Sequence, residues 1–335
     1  MKAIILKRSE ELGGTNYFED TELEIPKLEQ EKDLLIEVKG ISVNPVDIKT
    51  SRKNLEEQDY RVLGWDAAGV VKEIGKAVTK FKVGDEVFYA GDYTRSGSNS
   101  QYQLVDERIV AKKPEQLSMA ESAALPLTTL TAWEALFDRL KITEKDRGKK
   151  ILIINGAGGV GSAAIQLAKH AGLEVITTAS RIETLEWVNK MGADRVINHR
   201  QSLSEELKKI GVKELPYILC LYNPNIYWEE MAKVIEAQGQ ICSIVDADRP
   251  VDLSLLKNKS VTFSWEFMFT RSMYQTEDMG RQGEILAEIA ALYDQRILNS
   301  TMTKHMHPID AENIEDAHKL VGSGKMIGKL VLTGW

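Results

Sequence analysis

The chain has 335 residues, more than one hydrophobic core usually supports, so two domains are expected. Hydrophobic residues make up 43% and charged residues 28%, ordinary proportions for a soluble globular enzyme, and a formal net charge of −7 argues against nucleic acid or an anionic membrane as the main partner. No apolar run reaches the roughly 20 residues that span a bilayer, and the apolar part of "MKAIILKRSEELGG" is too short for a signal peptide. The two cysteines, Cys220 and Cys242, lie in apolar runs and read as buried thiols, so a reduced, cytoplasmic protein is expected.

Residues 1 to about 115 read as β-rich. "DLLIEVKGISV", "VGDEVFYAG", "SQYQLVD" and "RIVAKKP" carry β-branched or aromatic residues between Gly, Asp and Pro. At Ser118 the pattern turns helical, in "SMAESAALPLTTLTAWEALFDRL". Ser118 and Glu121 form a capping box, and Pro126 marks a break or kink. From Ile151 strands and helices alternate. "ILIIN" precedes a helix ending near Gly172, "LEVITTA" precedes "RIETLEWVNKMG", and "DRVIN" precedes "SLSEELKKIG". "YILCLY" then precedes a helix over "YWEEMAKVIEAQG", 227–239, and "QICSIV" follows. Apolar strands alternating with helices predict a parallel sheet covered on both faces, and "SVTFSWEF", 260–267, supplies its sixth strand. The closing helices "RQGEILAEIAALYDQRI" and "AENIEDAHKLVGSG" and the strand "GKLVLT" leave that rhythm. They are expected to fold back onto the front domain.

Gly156, Gly158 and Gly161 spell G-x-G-x-x-G after an apolar strand and at the mouth of a helix. The first glycine permits a tight turn, the second lets backbone approach a pyrophosphate, and the third lets helix and strand pack closely. Gly159 and Val160 open the helix, whose N–H groups and dipole suit phosphate. Readers of NAD usually place an acid at the end of the second strand, for the ribose 2′-hydroxyl. Here that end reads Thr177, Thr178, Ala179, Ser180, Arg181; Glu174 opens the strand and Glu183 falls on the next helix. Ser180 and Arg181 suit a 2′-phosphate, with His199 and Arg200 closing the same pocket, so NADPH is expected over NADH. "GSGKMIGK" lacks the spacing of a P-loop.

"SVNPVDIKT", "VLGWDAAGVV", "VGDEVFYAG", "LPLTTLTAWEAL" and "INGAGGVGSAAIQLAK" follow one another as in the medium-chain dehydrogenase/reductase superfamily. The chain resembles the zinc-free quinone oxidoreductase branch, and within it the subgroup labelled zinc-type alcohol dehydrogenase-like proteins. The resemblance implies an α/β chain: a GroES-like, β-rich catalytic domain with a Rossmann, doubly wound parallel sheet inserted in it. The implied parts are 1–122, 123–264 for the cofactor domain, and 265–335. It also implies that Asn44 and Asp47 of "NPVD" stand near the nicotinamide, Asn44 holding the carboxamide or substrate oxygen and Asp47 orienting a water or fixing the loop. Thr131 is implied on the cofactor side. Lys49 stands where many relatives have tyrosine.

Zinc alcohol dehydrogenases of the superfamily hold their metal with Cys, a His-Glu pair and another Cys or acid. At the matching places this chain has Asn44, Trp65 and Asp66, and the four cysteines of the structural zinc lobe are missing, so no metal is expected. His305 and His307 form an H-x-H with no evident third ligand and read as one solvated face of a strand. Trp65 is expected as an apolar wall, and Tyr60 and Tyr93 as candidate proton donors, although ordinary phenols titrate near 10. No tyrosine has a lysine four residues later.

Without a Lewis acid an isolated ketone is hard to reduce. An enone, enal or quinone needs only modest hydrogen-bond support, typically about 10²- to 10³-fold per donor. The expected activity is therefore zinc-independent, NADPH-dependent hydride transfer to a quinone or α,β-unsaturated carbonyl, the substrate being a small electrophile. A broader carbonyl or nitro-compound reductase, or a non-catalytic NADPH-binding sensor, are the alternatives. A homodimer joined through the edge strand "SVTFSWEF" is also expected.

Overall fold

Among the described residues, the front of the chain forms β1 (Lys2–Ser9), β2 (Thr15–Glu22), β3 (Asp33–Ser42), β4 (Tyr60–Val62), β5 (Asp66–Ile74), β6 (Glu86–Tyr89), β7 (Tyr102–Asp106) and β8 (Val110–Lys112). The structure, a computed structural model, describes residues 1–9, 15–28, 30–53, 55 and 59–335. The four segments singled out in the sequence become β3, β6, β7 and β8, while β1, β2, β4 and β5 add to them. In β3, Leu34, Ile36 and Val38 alternate into the core, as period two requires. A register shift between Val38 and Gly40 then moves the inward face to Ile41. The expected capping box forms: Ser118 N–H donates to Glu121 Oε2 at 3.0 Å and Glu121 N–H donates to Ser118 Oγ at 3.2 Å. The helix Met119–Ala123 stops, and Pro126 opens a new one, Pro126–Trp133.

The strand-helix series is a six-stranded sheet: β9 (Lys150–Ile154), β10 (Glu174–Thr178), β11 (Arg195–Ile197), β12 (Leu215–Cys220), β13 (Ile235–Ser243) and β14 (Thr262–Trp265). Its order, β11-β10-β9-β12-β13-β14, with every pairing parallel, is the 3-2-1-4-5-6 order of a dinucleotide-binding doubly wound sheet. Leu152, Ile154, Ile176 and Ile218 of the central strands are buried against Leu207, Trp228 and Met231 of the covering helices. One expectation fails here. The helix expected over 227–239 runs over Pro224–Val234 and ends there, because Ile235 already pairs with Leu215 as part of β13. Gln238, at φ +63°, and Gly239 lie within that strand.

The chain then returns to its first sheet. β15 (Met302–Met306) and β16 (Lys329–Thr333) complete the order β15-β16-β3-β5-β6-β8, with β7 also paired to β3. The two compact units are therefore Met1–Leu127 with Phe269–Trp335, and Thr128–Met268. The crossings lie after Leu127 and Met268, where the sequence pointed to 122 and 264. Asp66 Oδ1 accepts the Leu127 N–H at 2.7 Å and keeps that residue with the first unit. Arg139 binds Glu266 at 2.8 Å and keeps the residues after β14 with the second. Among the described residues no helix is long and apolar enough to cross a membrane.

Candidate active site

In the second unit, β9 ends at Ile154 and Asn155 turns the chain at φ +70°. A Cβ on Gly156 would lie 2.0 Å from Thr177 Oγ1, and one on Gly161 would lie 2.4 Å from the Gly156 carbonyl oxygen. These two positions admit nothing larger than hydrogen. A Cβ on Gly158 would meet nothing within 4 Å, so the middle glycine faces open space. Gly158 also caps the helix Gly159–His170 and, as a glycine, brings no side-chain cap to that helix start. Half-buried Gly159 and Val160 form its first turn. This is a cradle that fits the pyrophosphate of a nicotinamide dinucleotide.

Thr177 and Thr178 are spoken for within the sheet: Thr177 Oγ1 donates to the Ile153 carbonyl and Thr178 Oγ1 accepts the Asn155 N–H, both at 2.8 Å. Glu174 opens β10 and pairs with Lys150 and Arg195, while Glu183 is exposed on the helix Ile182–Lys190. Neither stands at the ribose end of the strand. Ser180 and Arg181 follow β10, and His199 and Arg200 follow β11, its neighbour in the sheet. The Ala179 N–H donates to the Ile197 carbonyl at 3.1 Å and ties the two strand ends together. His199 Nδ1 is buried without a partner, and burial, aided by the Arg200 charge, lowers the imidazole pKa. A neutral ring with an orphaned nitrogen suits a polar ligand. Thr131 is buried within Pro126–Trp133. Cys220 and Cys242 are buried free thiols, pushed up by burial to about 11 and about 12.

In the first unit the "NPVD" turn caps the helix Pro45–Ser51. Asp47 Oδ2 accepts the Asn44 N–H at 2.5 Å and fixes the loop. Asp47 Oδ1 is buried without a partner. Burial raises the Asp47 carboxyl to about 7, the Asp66 charge adding to it and the Asn44 bond and Lys329 opposing it. Asn44 Nδ2 donates to Asp66 Oδ2 at 2.8 Å and to the Ser42 carbonyl at 3.3 Å. Lys329, only 3% exposed, donates to Asn44 Oδ1 at 2.5 Å, Asp66 Oδ2 at 3.1 Å and the Val43 carbonyl at 3.2 Å.

Of the four residues expected at the centre, Asn44 and Asp47 lie within it, whereas Trp65 and Tyr60 stand elsewhere. Asn44 is buried with both ends of its amide engaged inside the protein, so it orders the cluster and does not present an open hand to substrate. Asp47 holds the turn. Trp65 is fully buried and shows no wall to solvent; it backs Tyr93, with ring centroids 5.0 Å apart and planes 15° apart. Tyr60 is 42% exposed at the start of β4, opposite Lys7 of β1, and is not brought to the cluster. Tyr93 is the tyrosine the fold delivers. Its hydroxyl lies 3.0 Å from Thr50 Oγ1 and 3.2 Å from Lys53 Nζ, beside Trp65 and Phe269.

Sequence reasoning missed Lys329, Lys53, Thr50, Arg61 and Phe269. The one available signal was a lysine in the otherwise apolar closing strand "KLVLT". Lys49 is exposed at the end of its helix.

The residues at this centre do not fit a zinc ion. Trp65 has no lone pair to give, both Asp66 oxygens already accept hydrogen bonds, and an ammonium lies among the donors. His305 Nε2 lies 2.7 Å from Thr333 Oγ1, and His307 Nδ1 2.8 Å from the Thr333 carbonyl, so both imidazoles are used on β16. Among the described residues no three His, Cys, Asp or Glu gather as metal ligands.

Residues 30–115 match the model of the alcohol dehydrogenase GroES-like domain, and residues 159–280 that of the zinc-binding dehydrogenase. A zinc-type alcohol dehydrogenase-like protein of Staphylococcus epidermidis is 44% identical over 335 residues, 99% of each chain. An NADPH-dependent alkenal/one oxidoreductase of Arabidopsis thaliana chloroplasts is 34% identical over 251 residues, 71% of this chain and 61% of that one. The quinone oxidoreductase of Coxiella burnetii superposes with a TM-score of 0.81 at 26% identity, covering 100% of this chain and 99% of that one. With its split β-rich unit, its doubly wound sheet and relatives along its whole length, the chain belongs to the medium-chain dehydrogenase/reductase superfamily and is an oxidoreductase of that type.

Proposed function

We propose that the protein transfers hydride from NADPH to a conjugated acceptor, an α,β-unsaturated carbonyl or a quinone, without a catalytic zinc. The observation that carries this reading is the buried Lys329 ammonium. Its three N–H groups go to Val43, Asn44 and Asp66, so the charge at the centre is neutralised inside the protein. Such a centre offers an incoming alkoxide neither a metal nor that cation. A saturated ketone needs such help, whereas a conjugated acceptor delocalises the charge itself and asks for one or two hydrogen bonds. The names of the Arabidopsis and Coxiella relatives agree with that acceptor class.

NADPH is favoured by Ser180 and Arg181 standing where a ribose-binding acid would be, with His199 and Arg200 on the adjacent strand end. The bound dinucleotide supplies the hydride. The chain's own part is to seat its phosphates on the glycine turn and to leave the reacting centre without a Lewis acid. We extend the proposal to a cytoplasmic homodimer joined through β14, an edge strand that ends at Trp265, 47% exposed, with Phe267 just beyond it at 44%.

The test is binding of NADPH and NADH, followed by turnover of a short enal, a quinone and the saturated aldehyde of the same length. NADPH should bind about tenfold or more tightly than NADH, as loss of a charged phosphate contact implies. The conjugated acceptors should turn over at least about 100-fold faster than the saturated aldehyde. Preference for NADH, or equal rates with the saturated aldehyde, would overturn the reading.

A further inference from the structure

Hydride addition leaves an anion, and the anion needs a proton. The polar centre is poorly suited to give one, since Lys329 and Asn44 are buried and engaged. A different group lies on the ring of Trp65, the residue before Asp66. Tyr93, in the loop after β6, is half-buried and stacked flat on Trp65, with Phe269 at 5.5 Å on another side. Two rings thus fix its plane. Its hydroxyl meets Thr50 Oγ1 at 3.0 Å and Lys53 Nζ at 3.2 Å. Lys53 is itself exposed, so the contact links the phenol to solvent through an ammonium. Arg61 lies over the Tyr93 ring at 5.4 Å and donates to the Tyr93 carbonyl at 2.8 Å.

We infer that Tyr93 is the proton donor of the reaction and that Lys53 reloads it: a Tyr–Lys pair assembled by the fold from residues 40 positions apart. The inference rests on the reductase reading above. Hydride and its electron pair go to the β-carbon of the enal, the C=C π pair shifts between the α-carbon and the carbonyl carbon, and the C=O π pair goes onto oxygen, giving an enolate. The Tyr93 O–H bond then breaks, its proton going to the enolate α-carbon and its electron pair staying on the phenolate. With a quinone, the proton goes to the reduced oxygen. The phenolate takes a proton from Lys53 Nζ, and the neutral amine recovers one from water. Atoms and charge balance with one solvent proton consumed per hydride.

The surroundings favour the charge this needs. Burial works to raise the Tyr93 phenol. The bonds from Thr50 and Lys53, with the charges of Lys53 and Arg61, outweigh it and bring the phenol below its ordinary value. Among the described residues, charged groups near Tyr93 and Phe269 have partners of their own. Asp92 caps Thr94, Arg95 pairs with Asp33, and Arg271 pairs with Asp278. Tyr60 pairs through β4 with β1, opposite Lys7.

Two readouts test this, and one needs no turnover. Tyrosinate absorbance against pH, taken as wild type minus Tyr93→Phe, reports Tyr93 alone. It should titrate below the ordinary phenol value of about 10, and move upward in Lys53→Met. In steady state with the better acceptor, Tyr93→Phe should lower kcat by about 10²-fold or more with little change in KM, within the usual range for a general acid. The alkaline fall in kcat should vanish in Tyr93→Phe and shift upward in Lys53→Met. Phenylalanine keeps the stacked ring; should it still misfold, Lys53→Met carries the kinetic readout, and the difference between wild type and Lys53→Met carries the absorbance shift. A Tyr93 titration at or above the ordinary value, or kcat within twofold of wild type with an unchanged pH profile in either variant, would overturn the inference. Absence of turnover by the wild-type protein with enal and quinone would bring down the reductase reading, and the pair with it, before any variant is compared.

Discussion

The dinucleotide turn lies within one unbroken stretch, Gly156 to Gly161, between β9 and the helix it opens. The polar centre of the other unit draws Asn44 and Lys329 from 285 positions apart and Asp66 from between them. The first is written in local backbone conformation: small residues where a Cβ would strike Thr177 or Gly156, and free space where a phosphate would lie. The second exists only once β16 has paired with β3. A site of the first kind is altered piecemeal, ligand by ligand. A site of the second kind couples chemistry to the stability of the whole sheet.

That contrast is sharpest at Lys329. Replacing it with Met leaves Asp66 buried and short of its cation, and loss of one partner of a buried pair costs about 3–5 kcal/mol. Lys329→Met should unfold at clearly lower urea, and adding Asp66→Asn should recover much of the loss. Equal stability of Lys329→Met and wild type would break the comparison. The glycine turn should respond more locally. Gly161→Ala forces a Cβ within 2.4 Å of a carbonyl oxygen and should lose about 1–3 kcal/mol, as overpacking does. Gly158→Ala should leave stability unchanged and weaken NADPH about tenfold, or 1.4 kcal/mol, because its methyl enters only the ligand's space. If both variants lost stability equally, the open space at Gly158 would not be the phosphate seat. Arg181→Ala should narrow the NADPH preference by a similar factor of about ten and leave NADH binding unchanged. Calorimetric titration with the two cofactors measures both.

The smallest expected effect is a pH dependence hidden by compensation. Burial lowers His318 to about 4, with the Arg52 charge adding to it, and raises Asp47 to about 7. The unfolded imidazole binds protons more readily than the folded one, so its share of stability is present above about 6.5 and lost as pH falls toward 4. Asp47 has the opposite sign: its share is present below about 4 and lost as pH rises through 7. Between pH 4 and 6.5 the two slopes oppose, each bounded by about 1.4 kcal/mol per pH unit. Asp47→Asn should uncover the acid-side loss and His318→Asn the loss on raising pH. Unfolding midpoints across that range check both, and parallel profiles for the two variants would contradict the assignment.

The same contrast explains what the sequence made legible. The alternation of apolar strands with helices was enough for the doubly wound sheet, and the glycine spacing for the turn. Local sequence does not mark the end of the helix at Val234, because Ile235, a good strand former, is followed by residues that suit a helix equally well; pairing with Leu215 decides it. Lys329 was invisible as a functional residue because a lysine in a strand ordinarily points to water, and its partners are remote in sequence. No tyrosine has a lysine four residues on. Folding brings Tyr93 to Lys53 across 40 positions, a pairing no local pattern records.

Hydride transfer to a conjugated acceptor without a metal is what most directly distinguishes the proposed activity. Chelator-treated protein, its zinc content measured, should be offered NADPH with a short enal and with a quinone. Turnover undiminished by the chelator, at negligible zinc content, is the predicted result. Activity that disappears with the chelator and returns with zinc would contradict it.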